Sequence, residues 1–449
     1  MTGCARRGDT LRSSSLAETS GTPEKQKTAR GPKTLGIIVA ARLSMSASRA
    51  LAGVVTPLYL ALIGFSAVRI GEVMLAVSAA AAVMSSLIGL YSDRVGRKVF
   101  VVAIPLLAAG AGVVFAYVRS PWLLVAAAAA GSFGRGAGAG AGMVGPYQPA
   151  EAALVTEALQ PERRNAAFGR LGFASSIGAL VGGLAAVTAG SGHPHGAAAT
   201  AAFRPAFLLA AGFAGLAGLI AVALPHEQRK RHAGTPSWTM PKRSKPLLVK
   251  LWATNSVNGL AVGMFGPFIT YWLFRRYGAS AAEIGVLFTV INLTTAGASL
   301  LGAPLARRWG IIKTLSVVRA LQAVLLIPMV LAPTFWEAGA IYLVRMAVQR
   351  IGLPLRQSYV LAMAHPEERA AVTALSNLPS FAALAIAPIG AGYLFDEVSL
   401  DLPFEVAALL QAANAAMYWF FFKDMRPEEE LRRPPPVEAL EAGEEEQRA

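Results

Sequence analysis

The sequence is poor in cysteine, in charge and in histidine for a chain of 449 residues. Its single cysteine, Cys4, excludes a disulfide within the chain and a metal site built from cysteine ligands. Charged residues make up 15% of the chain, against about 25% in ordinary soluble proteins, and hydrophobic residues make up 54%. We therefore do not expect a soluble globular protein.

Motifs of nucleotide hydrolysis and of hydrolase chemistry are also absent. The chain contains no P-loop, no G-x-S-x-G and no H-E-x-x-H pattern, so we expect no ATP-driven pump, no enzyme and no cofactor. His193 and His195 are two residues apart, but no third ligand lies nearby in the sequence, so we expect no metal site.

The net charge of +15 would favour nucleic-acid binding if the protein were soluble. Here the basic residues lie mainly in short segments between apolar runs and in the tails, a pattern that orients membrane helices. We expect membrane lipids as partners and no nucleic acid.

Long apolar runs make up most of the chain, and a helix needs about 20 such residues to cross a bilayer. The approximate predicted helices are 35–63, 70–91, 98–117, 122–150, 166–189, 203–224, 248–274, 281–305, 311–332, 336–363, 370–395 and 402–422. The predicted fold class is an all-α membrane protein with about twelve transmembrane helices in two pseudo-symmetric six-helix bundles.

Polar segments divide the chain into five parts. These are a disordered tail at 1–34, a first bundle at 35–225, a basic linker at 226–247, a second bundle at 248–424 and an acidic tail at 425–449. Lys and Arg are enriched in every second connection, which predicts that both termini lie in the cytoplasm, in the cytoplasmic membrane. Arg275 and Arg276 are the main exception.

Internal similarity supports two halves. Ile70-Gly71 recurs as Ile284-Gly285, and Pro149 with the Pro161 segment recurs at the same spacing as Pro354 with the Pro366 segment. A degraded copy of 89–98 lies at 303–310. Three similarities in the same order indicate two parallel repeats.

The segment Gly89-Leu90-Tyr91-Ser92-Asp93-Arg94-Val95-Gly96-Arg97-Lys98 has the pattern G-x-x-x-D-R-x-G-R-K between the second and third predicted helices. It resembles the signature loop of the major facilitator superfamily of secondary transporters. The resemblance implies two six-helix halves with a substrate site between them near mid-membrane.

The resemblance also implies a gating role for this loop. Gly89 would allow the second and third helices to approach closely. Asp93 and Arg94 would form a cytoplasmic latch against the N-terminus of the eleventh helix, which would hold the outward-open state. Gly96 and Arg97 belong to the same predicted gating set. The alternative is a loop that only sets topology.

Glycines of the fifth predicted helix, around Gly178 and Gly182, resemble the antiporter motif of that family, with Ala179 where proline belongs. The eleventh helix keeps the proline, Pro388, in a similar pattern. Ordinary packing of small residues is the equal alternative.

Three arginines fall inside predicted helices 1, 4 and 10, which the resemblance implies line the central cavity. A charge at the bilayer centre costs roughly 2.5–3.5 kcal/mol on insertion scales, so Arg49, Arg135 and Arg345 need a partner or a cavity. Because guanidinium pairs well with carboxylate and phosphate, we hypothesise that they bind an anionic substrate. Pairing with carboxylates such as Glu151, or with carbonyl groups, is the alternative.

Two asparagines of predicted helix 7, Asn255 and Asn258, lie on one helical face and are further candidates for substrate binding. Interhelical hydrogen bonding is the equal alternative. We expect Arg42 and Arg356 to extend towards the membrane interface.

Acidic residues are scarce inside the predicted helices. Glu151, near the inner end of the fourth helix, is the best candidate for proton coupling. The alternative is a local ion pair with Arg163 or Arg164.

These features predict a secondary active transporter that moves a small solute by alternating access, coupled to protons, with efflux slightly favoured and a monomeric chain as the working unit. Uptake or exchange of an organic anion is one alternative. A downhill facilitator and a non-transporting membrane sensor of the same fold are others.

Overall fold

The computed structural model describes residues 23–134, 145–190, 196–225, 241–298, 301–365 and 368–425. Within these ranges all of the regular secondary structure is helical. The α-helices are α1 Pro23–Leu62, α2 Ala67–Val95, α3 Arg97–Tyr117, α4 Pro121–Gly131, α5 Gln148–Ala158, α6 Pro161–Ala185, α7 Ala197–Val222, α8 Lys245–Phe265, α9 Ile269–Tyr277, α10 Ala281–Ala298, α11 Gly302–Trp309, α12 Ile311–Val324, α13 Leu326–Leu331, α14 Phe335–Met363, α15 Arg369–Ser376, α16 Leu378–Glu397 and α17 Leu402–Phe422.

Eight of the described helical segments are long and apolar enough to cross a membrane, and α4 and part of α10 are shorter apolar helices. The predicted fold class is confirmed: about twelve crossings form two six-helix halves, α1–α7 and α8–α17. Several helix boundaries differ from the prediction. The fourth predicted helix, 122–150, corresponds to α4, which ends at Gly131, and to the start of α5, which continues to Ala158. Two other helices begin inside segments predicted to be polar. α1 begins at Pro23 within the segment 1–34, and α8 begins at Lys245 within the linker 226–247. The predicted division into five domains stays a prediction.

Several predicted spans are interrupted helices. The seventh predicted span consists of α8, a single 3-10 turn at Gly266–Phe268, and α9. Pro267 explains the interruption, because proline has no N–H to donate and its ring disfavours a continuous helix. The ninth span divides between α12 and α13.

Small residues bring helices into close contact within each half. In the first half, a Cβ on Gly178 or Gly182 would overlap the carbonyl oxygens of Leu43 and Ala47 on α1. The glycine motif of α6 therefore forms a packing surface against α1. In membranes, such close approach supplies the van der Waals contact that holds helices together.

The two halves contact each other at one end of the bundle. We call the end at which α1 and α8 begin and α17 ends the terminus face, and the other end the opposite face. Near the opposite face α2 packs on α16 and α6 packs on α10. Towards the terminus face, side chains of α2 such as Leu87 and Tyr91, and Phe381 of α16, are exposed. The close contacts between the halves therefore lie towards the opposite face.

Candidate functional site

An ion pair in the interior of the first half joins α1 to α5. Arg42 Nε donates to Glu151 Oε1 at 2.9 Å, and Arg42 Nη2 lies 2.5 Å from Glu151 Oε2. The two side chains are 10% and 2% exposed. Arg42 Nη1 also reaches Ser175 Oγ of α6 at 3.5 Å, so three helices meet at this pair.

The partner of Glu151 is therefore Arg42, and not Arg163 or Arg164 as the alternative reading of the sequence had it. The expectation that Arg42 extends to the membrane interface is wrong. A buried carboxylate that can accept two hydrogen bonds from one guanidinium holds that side chain inside the half. The proton-coupling role of Glu151 stays a prediction. The geometry identifies Arg42 as the group that would lose its counter-ion if Glu151 were protonated.

Arg49 lies two turns further along α1 from Arg42, against the start of α5. Its guanidinium fills the space beside Gly145, whose φ is +96°, and a Cβ at that position would overlap the guanidinium. Arg49 Nε and Nη2 are buried and have no hydrogen-bond partner among the described residues. Arg135 lies outside the described residues.

Arg345 of α14 is fully buried in the second half. Its Nε donates to the carbonyl of Gln322 at 3.3 Å, and its Cζ lies 4.3 Å from the centroid of the Phe265 ring. Nη1 and Nη2 have no hydrogen-bond partner among the described residues. Arg49 and Arg345 thus each keep guanidinium N–H groups that an anion could satisfy.

A second set of buried arginines is bound by amides. Arg319 of α12 donates through Nη1 to Asn258 Oδ1 at 2.9 Å and to Asn414 Oδ1. Its Cζ lies 4.2 Å from the centroid of the Tyr418 ring. Asn414 in turn donates to the carbonyl of Thr254 at 2.5 Å. This network links α12, α8 and α17.

Arg356 of α14 makes a similar set of contacts closer to the terminus face. It donates through Nη1 to Asn255 Oδ1 and through Nη2 to Asn377 Oδ1, each at 2.7 Å. Asn255 Nδ2 donates to the carbonyl of Ser376 at 2.6 Å. The expectation that Arg356 extends to the interface is wrong, because two amide oxygens are within its reach.

Both predicted asparagines therefore bond to arginines across helices, which is the alternative that the sequence left open. Substrate contact by Asn255 and Asn258 stays a prediction. The sequence analysis missed Arg319. The signal in the sequence is a single charge in the middle of the apolar predicted helix 311–332.

The signature loop is held within the first half by ordinary polar contacts. Arg97 Nη1 lies 2.8 Å from Glu157 Oε2, and Lys98 Nζ donates to the backbone carbonyl of Leu224, just after α7, at 2.5 Å. Gly96 joins α2 to α3 with φ +109°, a conformation that favours glycine. Its counterpart Gly310 joins α11 to α12 with φ +83°, which supports the repeat.

Of the predicted gating set, the structure describes the side chain of Arg97 and the surroundings of Gly89 and Gly96. The side chains of Asp93 and Arg94 lie outside the described residues. Gly89 has no atom within 4 Å of the place that a Cβ would occupy, so the expected close approach of α2 and α3 at this glycine does not occur in this structure.

Comparison with known proteins identifies the family to which the chain belongs. The model of the Major Facilitator Superfamily matches residues 38–255 and 251–446. The chain is 26% identical over 286 residues to the multidrug resistance protein MdtG of Proteus mirabilis (strain HI4320), a match that covers 61% of this chain and 65% of that relative. The chain thus spans slightly less than two thirds of the length of this relative.

Solved structures agree on the fold. A bacterial homologue of the human lysosomal transporter Spinster, in an inward-facing and occupied conformation, has a TM-score of 0.67 at 15% identity and covers 91% of this chain and 99% of its own. A D-xylose–proton symporter has a TM-score of 0.64 at 15% identity, over 87% of this chain and 97% of its own. The chain is an integral membrane protein and belongs to the major facilitator superfamily of small-molecule transporters.

Proposed function

We propose that this chain exports a small solute from the cytoplasm in exchange for protons, with Glu151 as the proton-binding group. The observation that carries the proposal is the buried Arg42–Glu151 ion pair, because it places a titratable carboxylate inside the first half. The similarity to a protein named for multidrug resistance supports efflux over uptake. We also propose a monomer in the cytoplasmic membrane with both termini in the cytoplasm.

The ion pair supplies a mechanism for coupling. While Glu151 is ionised, its charge balances that of Arg42 and the pair joins α1 to α5. Protonation removes the single negative charge that the two oxygens share and leaves the buried Arg42 guanidinium without its counter-ion. A buried charge without a partner is strongly unfavourable, so protonation favours a different arrangement of these helices. Proton binding and the change of access are then the same event.

The test is solute uptake into proteoliposomes with and without an imposed pH gradient. In the variant Glu151→Gln we expect gradient-driven transport to be lost while exchange of solute at equal pH persists. Glu157→Gln is the matched control, because Glu157 lies on the same helix but is 58% exposed and binds Arg97. Gradient-driven transport at the wild-type rate in Glu151→Gln would overturn the proposal.

A second candidate function, uptake or exchange of an organic anion, is favoured by a different observation. Arg49 and Arg345 both have buried guanidinium nitrogens without a hydrogen-bond partner in the described part of the chain. If a carboxylate or phosphate of the solute binds there, Arg49→Gln and Arg345→Gln should each abolish anion flux. Arg204→Gln is the control, because Arg204 is exposed at the edge of the first half.

A panel of organic anions and lipophilic cations separates the two candidates. Cation flux that needs Glu151 and is indifferent to Arg49 would support proton-coupled efflux alone. Anion flux that needs the arginines would support the second candidate. No flux with either class would favour the non-transporting sensor. The latch formed by Asp93 and Arg94 stays a prediction, and its test is whether Asp93→Asn changes the transport rate.

A further inference from the structure

A carboxylate of the second half caps a helix of the first half at the opposite face. Asp396, near the C-terminal end of α16, accepts the backbone N–H of Ala67 through Oδ1 at 3.0 Å and that of Val68 through Oδ2 at 2.9 Å. Ala67 is the first residue of α2, and the Ser66 hydroxyl accepts the N–H of Arg69 at 3.3 Å. The start of α2 is thus capped partly by its own sequence and partly by the other half.

The carboxylate of Asp396 suits the start of α2 both as a hydrogen-bond acceptor and as a negative charge. The first N–H groups of a helix have no partner within the helix, and the helix dipole makes that end favourable for an anion. Hydrogen bonds to an ionised acceptor are stronger than those between neutral groups. Asp396 contributes nothing comparable to its own helix, where a carboxylate at the C-terminal end meets the negative end of the dipole. Its position is therefore explained by α2.

The helices beneath this cap are packed closely. A Cβ on Gly392 would lie 2.5 Å from the carbonyl oxygen of Ala67, and one on Gly71 would overlap the carbonyl of Pro388. At the second contact between the halves, a Cβ on Gly285 of α10 would overlap the carbonyl oxygen of Gly183 on α6. The opposite face is closed along both seams, and Asp396 supplies the charged contact across one of them.

Closure at this face must be broken once in each transport cycle, because the solute site between the halves has to open to each side of the membrane in turn. We propose that Asp396 is a positioning residue for transport, which holds the opposite face closed by capping α2 and which must be released for that face to open. This inference rests on the proposed transport cycle, but not on its direction or on proton coupling.

The antiparallel arrangement of α2 and α16 allows a similar cap at the terminus face. α2 runs towards the terminus face and α16 runs away from it, so the beginning of α16 lies at the same face as the end of α2. The latch that the family resemblance implies, Asp93 against the start of α16, would use the same chemistry at that face. The pair would then exchange one carboxylate cap for the other as the halves rock.

The experiment measures opening of the opposite face directly. Because Cys4 is the only cysteine, the Cys4→Ser background allows two spin labels to be placed by Ser120→Cys and Glu337→Cys, at exposed positions of the first and second halves on that face. Distances between the labels, in the protein without solute or pH gradient, report the populations of the closed and open states. The added variants are Asp396→Asn and Asp396→Glu, with Glu397→Gln as the control on the neighbouring exposed acid.

We expect Asp396→Asn to raise the ratio of open to closed states roughly two- to fivefold, the range expected for a charge at an exposed helix N-terminus. Asp396→Glu should largely restore the wild-type ratio, and Glu397→Gln should leave it unchanged. Ala67→Pro is a second variant: it removes one donor at the first position of α2, where proline is accepted, and Ser66 already has the extended conformation that precedes proline.

An unchanged ratio in both Asp396→Asn and Ala67→Pro would overturn the inference, and so would an equal shift in Glu397→Gln. Flux measurements on the same variants separate this outcome from failure of the proposed function. If the ratio shifts in a protein that transports no solute, the capping role of Asp396 is supported and the proposed transport function is not. If flux is normal and the ratio is unchanged, the transport function stands and the capping role is wrong.

Discussion

The two halves of the molecule hold their buried arginines in different ways. In the first half Arg42 is paired with a carboxylate, Glu151, which can take up a proton. In the second half Arg319 and Arg356 are bound by asparagines, which cannot. Among the described residues, the interior of the second half offers its arginines no acid. The halves share a fold but differ in the chemistry of their interiors.

Under the proposed function, this difference would separate two tasks of a coupled transporter. A proton-coupling group must lie where its change of charge alters helix contacts, and Glu151 of the first half lies in such a place. Amide–guanidinium networks keep the same charge at every physiological pH, because arginine stays protonated. The second half therefore provides a fixed positive interior. The predictions below are ways to test this contrast, beginning with the largest effect.

The largest effect is expected from separating the ion pair of the first half. Glu151→Ala should destabilise the protein by about 3–5 kcal/mol, because the Arg42 guanidinium remains buried without a counter-ion. The double variant Arg42→Met with Glu151→Leu should recover most of this loss, since apolar residues of similar volume replace the pair. Thermal unfolding in detergent measures both. A double variant as unstable as the single one would contradict the ion-pair account.

A smaller effect is expected from one amide of the second half. Asn258→Ala should cost about 1.5–3 kcal/mol, because Arg319 loses one charged hydrogen bond but keeps Asn414 and the Tyr418 ring. Asn292→Ala is the control, since Asn292 donates only to a carbonyl of its own helix. Denaturation in the same detergent compares them. A loss as large as that of Glu151→Ala would remove the contrast between the halves.

The turns that begin α3 and α12 should respond alike in the two halves. Gly96→Ala and Gly310→Ala should each destabilise by about 1–3 kcal/mol, because both glycines have positive φ values that other residues adopt only under strain. Gly89→Ala should be neutral or slightly stabilising, because that helical glycine has open space beside it. If the two substitutions lowered the stability by clearly different amounts, the two turns would be alike in backbone conformation but not in their contribution to stability.

The smallest effect concerns the end of the linker. Desolvation raises the pKa of the Glu368 carboxyl, but hydrogen bonds from the backbone N–H groups of Arg243, Ser244 and Lys242 outweigh it and lower the pKa to about 2. A lowered pKa means that this contact contributes stability above the ordinary carboxyl value of 4.5 and loses it as the pH falls through about 2.

The difference in melting temperature between the wild type and Glu368→Gln should accordingly be constant from about pH 8 to pH 5 and should disappear towards pH 2. Melting curves at four or so pH values check this. A difference that disappears near pH 6 instead would mean that another group controls the start of α8.

The sequence predicted the helices well because apolar runs and charged turns are local features. It could not identify the partner of Glu151, since Arg42 lies 109 residues away and Arg163 is much nearer in the chain. The same reason explains Arg356, whose amide partners lie on two other segments. Asn255 and Asn258 were placed correctly on one helical face, but only packing decides whether that face meets a cavity or an arginine. The cap formed by Asp396 could not be predicted, because its partners are backbone N–H groups more than 300 residues away in the chain.

The measurement that tests the central claim most directly is proton movement caused by the solute itself. Proteoliposomes with a pH-sensitive dye inside receive the transported solute at equal pH on both sides. The account predicts a change of internal pH with the wild type and with Glu157→Gln, and none with Glu151→Gln although solute still exchanges. A wild-type pH change in Glu151→Gln would contradict it, since the first half would then not be where protons are coupled.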